Sequence, residues 1–189
     1  DCADIYTGVE ALIGRYLARI RRRDGVNAAA RVQVHTKCVP DLDRLPHLTR
    51  HDIEAVVARS CTRLGVEALD LVQLHWWDYD IPGCVQALLW LQEMQQAGKV
   101  AHVATTNFDV AHMRDIVGAG VKLFSHQLQY SLLDLRPERG MVEFCREHGI
   151  HLFCYGTIAG GFLSNKWLGQ PDPPQPYANR SLVKYRLMV

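Results

Sequence analysis

Apolar residues recur along this chain in alternating helical and strand periods. Val9, Leu12, Ile13, Tyr16, Leu17 and Ile20 fall at i, i+3, i+4, i+7, i+8 and i+11, the stripe of an amphipathic helix over 9–20. Arg19, Arg21, Arg22 and Arg23 close it with cations that suit the negative end of a helix dipole, and Asp24 and Gly25 break it. Val32 and Val34 predict a strand over 31–36. Thr49-Arg50-His51-Asp52 reads as a capping box opening a helix that carries Ile53, Val56, Val57, Cys61 and Leu64 as far as Gly65. A strand over 69–74 follows, apolar except for Asp70 and Gln73. Pro82 is placed in the first turn of a third helix running to Gly98. Further strands are predicted over 100–105, 123–128 and 150–155, with helices over 110–117 and 138–148 between them.

Helices and strands that alternate through short connections favour parallel strands joined by crossover helices, so the fold class is α/β. Strand ends fall near Asp1, Lys37, His75, Thr106, Gln127 and Tyr155, on average about 31 residues apart, and eight such units make a (β/α)8 TIM barrel of about 250 residues. The expectation is a single partial barrel over 1–189 with five to six βα units. A doubly wound open sheet competes with it, but no G-x-G-x-x-G follows any predicted strand. Pro171, Pro173, Pro174 and Pro176 predict a stiff extended loop within 169–179. Beyond Arg180, the residues Leu182, Val183, Tyr185, Leu187, Met188 and Val189 begin another apolar-faced element.

Composition narrows the function. The 189 residues are 48% hydrophobic and 22% charged, and 21 Lys and Arg against 20 Asp and Glu leave a formal charge of +1. That balance argues against nucleic acid as the main partner, which calls for a basic excess. No apolar run is long enough to span a membrane and no signal peptide precedes the first helix, so the expectation is a cytoplasmic protein. Six cysteines without a C-x-x-C pair predict reduced thiols and no zinc site. His47 and His51 flank a helix start without a third ligand at metal spacing, and they are read as capping or exposed residues. Cys38, next to Lys37, is read as a buried, inert thiol.

In a parallel barrel the C-terminal strand ends converge on one rim, where Asp1, Tyr6, Lys37 and His75 would supply a carboxylate, a phenol, an ammonium and an imidazole. A free tyrosine, with a pKa near 10, donates its proton poorly at neutral pH, and an adjacent ammonium favours the phenolate. Lys37 is placed to do this, Asp1 to hold Lys37 charged, and His75 to act on a carbonyl oxygen.

These residues resemble the aldo-keto reductase family. The segment Asp1-Cys2-Ala3-Asp4-Ile5-Tyr6 is similar to its active-site segment, in which Asp-x-Ala precedes the catalytic Tyr. His35-Thr36-Lys37 resembles its strand-end lysine, and Asp70-Leu71-Val72-Gln73-Leu74-His75 its Asp-Leu-x-x-x-His strand. Thr105-Thr106-Asn107-Phe108 is similar to its Ser-Asn-Phe turn with Thr106 for Ser, and Gln127 matches its nicotinamide-contacting Gln. Residues 155–161 resemble its Tyr-Ser-Pro-Leu-Ala-Gly-Gly loop, with Gly156 and Thr157 in place of Ser and Pro.

The resemblance implies hydride transfer between NADPH, with NADH as the alternative, and a small carbonyl or alcohol. Asp1, Tyr6, Lys37 and His75 would be the catalytic set, with Tyr6 as general acid. Asp1, Thr106, Asn107, Gln127, Tyr155, Gly156, Thr157, Ile158, Ala159 and Gly160 would hold the cofactor. Tyr6, His75 and Trp76 would contact substrate, while Trp77 has two readings, the substrate entrance or packing under a loop. Two rival expectations are a non-catalytic, cofactor-binding regulatory subunit of the same fold, a class that typically lacks the active-site histidine present here as His75, and an inactive segment. The last follows if the barrel's first strand and its C-terminal phosphate-binding part are missing.

Overall fold

The computed structural model describes residues 1–171, 175–177 and 180–187. Pro173 and Pro174 of the proline-rich loop, and Met188 and Val189 of the last apolar stretch, lie outside the described residues. The chain divides into two compact units, Asp1–His126 and Gln127–Val189. In order, the elements are α1 (Val9–Asp24), α2 (Val26–Ala30), β1 (His35–Cys38), α3 (Arg50–Leu64), β2 (Leu69–His75), α4 (Cys84–Gln96), β3 (Val100–Thr106), α5 (Val110–Gly118), β4 (Ser125–Gln129), α6 (Met141–Glu147), β5 (His151–Tyr155) and α7 (Arg180–Arg186). The strands follow sequence order, β1-β2-β3-β4-β5.

In the first unit β1, β2 and β3 pair in parallel, with Lys37 opposite Gln73 and His75 opposite Thr106. Parallel partners project to the same side of a sheet, and so do residues two apart on one strand. Lys37, Gln73, His75 and Thr106 therefore share one face. Segment 1–4 continues the ladder: the Cys2 N–H donates to the His35 carbonyl at 2.8 Å and the Asp4 N–H to that of Lys37 at 3.2 Å.

The opposite face is covered by helices. The Thr36 hydroxyl donates to Glu10 Oε1 at 2.7 Å, and Arg63 reaches Glu10 Oε2 at 3.2 Å, so a fully buried carboxylate on α1 is paired from two elements. The face of α1 turned inward is Glu10, Gly14, Leu17 and Ile20, while Leu12 and Tyr16, expected in its apolar stripe, are exposed. Gly14 permits this rotation, because a Cβ there would collide with the Arg63 carbonyl on α3. Asp4 is tied down by Arg59 at 3.0 Å and by the Val39 N–H at 3.1 Å. Burial pushes its carboxyl above the usual range, and Arg59 pulls it back.

Several element bounds differ from the sequence expectation. The first strand begins at His35, because the chain from Val26 turns through α2 and Val34 spends its N–H on the Asp70 carboxylate at 2.7 Å. The third helix starts at Cys84 behind Gly83 (φ 126°), which leaves Pro82 outside it. The helix expected over 138–148 is interrupted, since a 3-10 turn at Arg136–Glu138 gives way at Gly140 (φ 107°) to α6. The capping box stands as predicted, with Thr49 and Asp52 bonding each other's backbone N–H groups.

Candidate active site

The first unit gathers a charged cluster at the ends of β1 and β2. Lys37 Nζ lies 2.9 and 2.8 Å from the two Asp1 oxygens and donates to the Cys2 carbonyl at 3.0 Å. Lys37 is 6% exposed, so its charge sits among protein groups with little water to screen it. Burial draws the ammonium below the ordinary lysine range, and the bidentate Asp1 contact opposes that pull. Gln73 Nε2 donates to Asp1 Oδ1 at 3.0 Å, giving the carboxylate a second anchor.

Tyr6 follows a tight turn closed by its N–H on the Ala3 carbonyl, and its ring centroid stands 5.8 Å from Lys37 Nζ. Its ring is half exposed. His75, at the end of β2, has a buried Nδ1 without a hydrogen-bond partner. Burial first, and the Lys37 charge second, hold its pKa below the ordinary histidine value, so the imidazole is neutral at pH 7. Asp1, Tyr6 and Lys37 are thus brought together, with His75 close enough to feel the ammonium.

The two tryptophans divide. Trp76, expected at the substrate entrance, is instead 2% exposed: its indole N–H donates to the Ile81 carbonyl at 2.9 Å. The ring beside His75 is Trp77, at a centroid separation of 4.6 Å, half exposed and anchored by its N–H on the Pro40 carbonyl. Both tryptophans lie just past the end of β2, and the chain there buries Trp76 and leaves Trp77 against His75.

Thr106 is buried at the end of β3, and Asn107 adopts φ 66°, a left-handed backbone that fixes a sharp turn. Tyr79 clamps that turn. Its hydroxyl donates to the Asn107 carbonyl at 2.8 Å, and its ring stacks on His112, which pairs with Asp109 at 2.8 Å. From below, Thr105 Oγ1 meets the buried His126 Nδ1 at 2.9 Å. Gln73 and Tyr79 were missed by sequence reasoning. For Gln73 the signal was present, a polar residue inside an otherwise apolar strand.

The second unit carries Gln127, on β4, and the loop after β5. Gly156, Ala159 and Gly160 have φ of 73°, 48° and 63°. The N–H groups of Thr157, Ile158 and Gly160 have no backbone hydrogen-bond partner among the described residues. Tyr185 of α7 packs over Gly156 and Gly160, and Lys184 Nζ lies 4.8 Å over the Tyr155 ring. The Cys38 thiol, in the first unit, is buried and pushed up by desolvation. Among the described residues, no three His, Cys, Asp or Glu side chains group as a metal site, and no helix is long and apolar enough to cross a membrane.

Strands β1, β2 and β3 thus pair in parallel, and a lysine–carboxylate pair stands beside a tyrosine at their ends. The model of the Aldo/keto reductase family matches residues 1–189, and the chain belongs to that family. It is 26% identical to the aldo-keto reductase yakc [NADP(+)] of Schizosaccharomyces pombe, over 98% of this chain and 55% of that protein. It is 26% identical to the NADH-specific methylglyoxal reductase of Escherichia coli, over 82% of this chain and 50% of that one. A crystal structure of the thermostable aldo-keto reductase Tm1743, bound to the inhibitor epalrestat, superposes with a TM-score of 0.72 at 28% identity, covering 88% of this chain and 57% of that one. The fold is accordingly that of a (β/α)8 barrel, of which the described residues supply five strands. The chain spans about half the length of these two curated relatives.

Proposed function

We propose that the chain carries the catalytic part of an NADP(H)-dependent reductase that converts a small aldehyde or ketone to an alcohol, and that residues 1–189 belong to a single barrel domain. The observation that carries this reading is the Lys37 ammonium, buried, gripped by Asp1 at 2.8–2.9 Å and standing 5.8 Å from the Tyr6 ring. An ammonium beside a phenol stabilises the negative charge left when the phenol gives up its proton, so Tyr6 is the general acid toward a carbonyl oxygen. Neutral His75 gives that oxygen one N–H donor and fixes its direction. Trp77 supplies an apolar wall beside it.

The residues fit a nicotinamide dinucleotide by their chemistry. Thr106, Asn107 and Gln127 carry the hydroxyl and amides a carboxamide needs, and the Asn107 turn is held rigid by Tyr79. Tyr155 offers a flat ring, and the N–H groups of Thr157, Ile158 and Gly160 suit a pyrophosphate, whose approach requires Tyr185 to leave the two glycines. When bound, the cofactor supplies the hydride. NADPH is the proposed form, as in the name of the S. pombe relative, while the E. coli relative is named for NADH.

The test is NADPH consumption with a panel of aldehydes, followed alongside NADPH binding by fluorescence. Turnover above background supports the enzyme. Binding without turnover on any aldehyde would point to a regulatory subunit instead, and loss of both would overturn the assignment for this chain.

A further inference from the structure

We propose that Gln73 is a positioning residue: it locks the Asp1 carboxylate against Lys37 and so sets the charge that Lys37 presents to Tyr6. The inference rests on the catalytic reading above only for its consequence in turnover, because the side-chain geometry stands apart from it. Gln73 is fully buried in a strand whose other buried residues are Leu69, Leu71, Val72 and Leu74. An amide placed there costs free energy unless it bonds, and a leucine would fill the position without that cost. Half of the amide is used, since Nε2 donates to Asp1 Oδ1 at 3.0 Å. The other half, Oε1, is buried without a partner among the described residues, as is Nδ1 of His75 two residues along the same face. The amide orientation is fixed by chemistry, because turning Oε1 toward a carboxylate would set two acceptors against each other.

Asp1 needs this anchor. Its side chain is 44% exposed, and among the described residues the one other side chain hydrogen-bonded to it is Lys37 itself. Gln73 lies directly opposite Lys37 in the β1–β2 register, so it reaches the carboxylate from the neighbouring strand and holds both oxygens in range of one ammonium. Around Lys37 the charged and titratable groups among the described residues are Asp1, the Cys2 thiol, the Tyr6 phenol, His35 and His75. Among the described residues Asp1 alone lies within ion-pairing distance, and Gln73 bonds the carboxylate from the neighbouring strand.

The experiment labels the lysine Cε positions with carbon-13 and follows the Lys37 signal through a pH titration, assigned with Lys37→Arg. In Gln73→Met, which keeps the volume and removes the amide, Asp1 is released and the Lys37 midpoint falls by about 0.5–1 pH unit. In Gln73→Glu a second carboxylate faces the ammonium, and the midpoint rises by a similar amount, about 0.5–1 unit. Circular dichroism melts establish that each variant is folded, and either variant alone tests the sign. An unmoved midpoint, or a shift of opposite sign, overturns the proposal. The two readings fail separately. A Lys37 midpoint that responds while Tyr6→Phe retains turnover removes the catalytic reading and leaves Gln73 as the anchor of Asp1. An unmoved midpoint beside a dead Tyr6→Phe does the reverse.

Discussion

His126 shows how a single buried side chain ties the site to pH. It is fully buried on β4, with Nδ1 on Thr105 Oγ1, and burial drives its pKa down to about 4. A histidine that titrates near 6.5 when unfolded and near 4 when folded binds fewer protons in the native state across that interval. Its contribution is therefore intact above about pH 6.5 and is lost as pH falls toward 4. Between pH 7 and 4.5 this group alone lowers stability by about 2 kcal/mol. His35 and His75 shift in the same direction and are shared by any variant. The expected outcome is that His126→Gln loses about 2 kcal/mol less than the parent between these pH values in urea unfolding. Equal losses would contradict the assignment. At the residue scale, Asp1, Tyr6, Lys37 and His75 are visible as polar residues at strand ends, whereas Trp76 and Trp77 cannot be told apart in sequence because both lie in the irregular segment after β2.

Among the elements, α1 is where hydrophobic periodicity misleads. The sequence stripe includes Leu12 and Tyr16, yet the packed face runs through Glu10 and Gly14. Neither residue registers on a hydrophobic scale. Glu10 is drawn in by the Thr36 hydroxyl and Arg63, and Gly14 by the need for close approach to α3. A methyl at Gly14 would run into the Arg63 carbonyl and lie 3.0 Å from Leu64 backbone atoms. Gly14→Ala gains about 1 kcal/mol of helix propensity and loses more to the clash, for a net destabilisation of about 1–2 kcal/mol. A thermal melt checks it: a midpoint lowered by several degrees is expected, and a raised one would mean that α1 and α3 do not cross there. The displaced start of β1 has a related cause. Val32 and Val34 alternate as a strand does, but the ladder with β2 begins only at His35. Helix α2 was invisible because five residues behind a glycine are too few to show a periodic signal.

For the whole molecule, the α/β class and the parallel order of strands were legible because each βα unit carries its own start and stop signals and each connection is short. The barrel was legible from the spacing of strand ends, and family membership from motifs appearing in order along the chain. The place of Gln73 beside Asp1 and Lys37 was not, because residues separated by up to 72 positions meet only through strand register. The central claim is that Tyr6 gives the proton to a carbonyl under the control of Lys37. Its most direct measurement is the rate of aldehyde-dependent NADPH oxidation by Tyr6→Phe beside the parent chain, with NADPH affinity measured in both. The account predicts unchanged affinity and a rate lower by about 10²–10⁴-fold. A rate within about twofold of the parent's would contradict it.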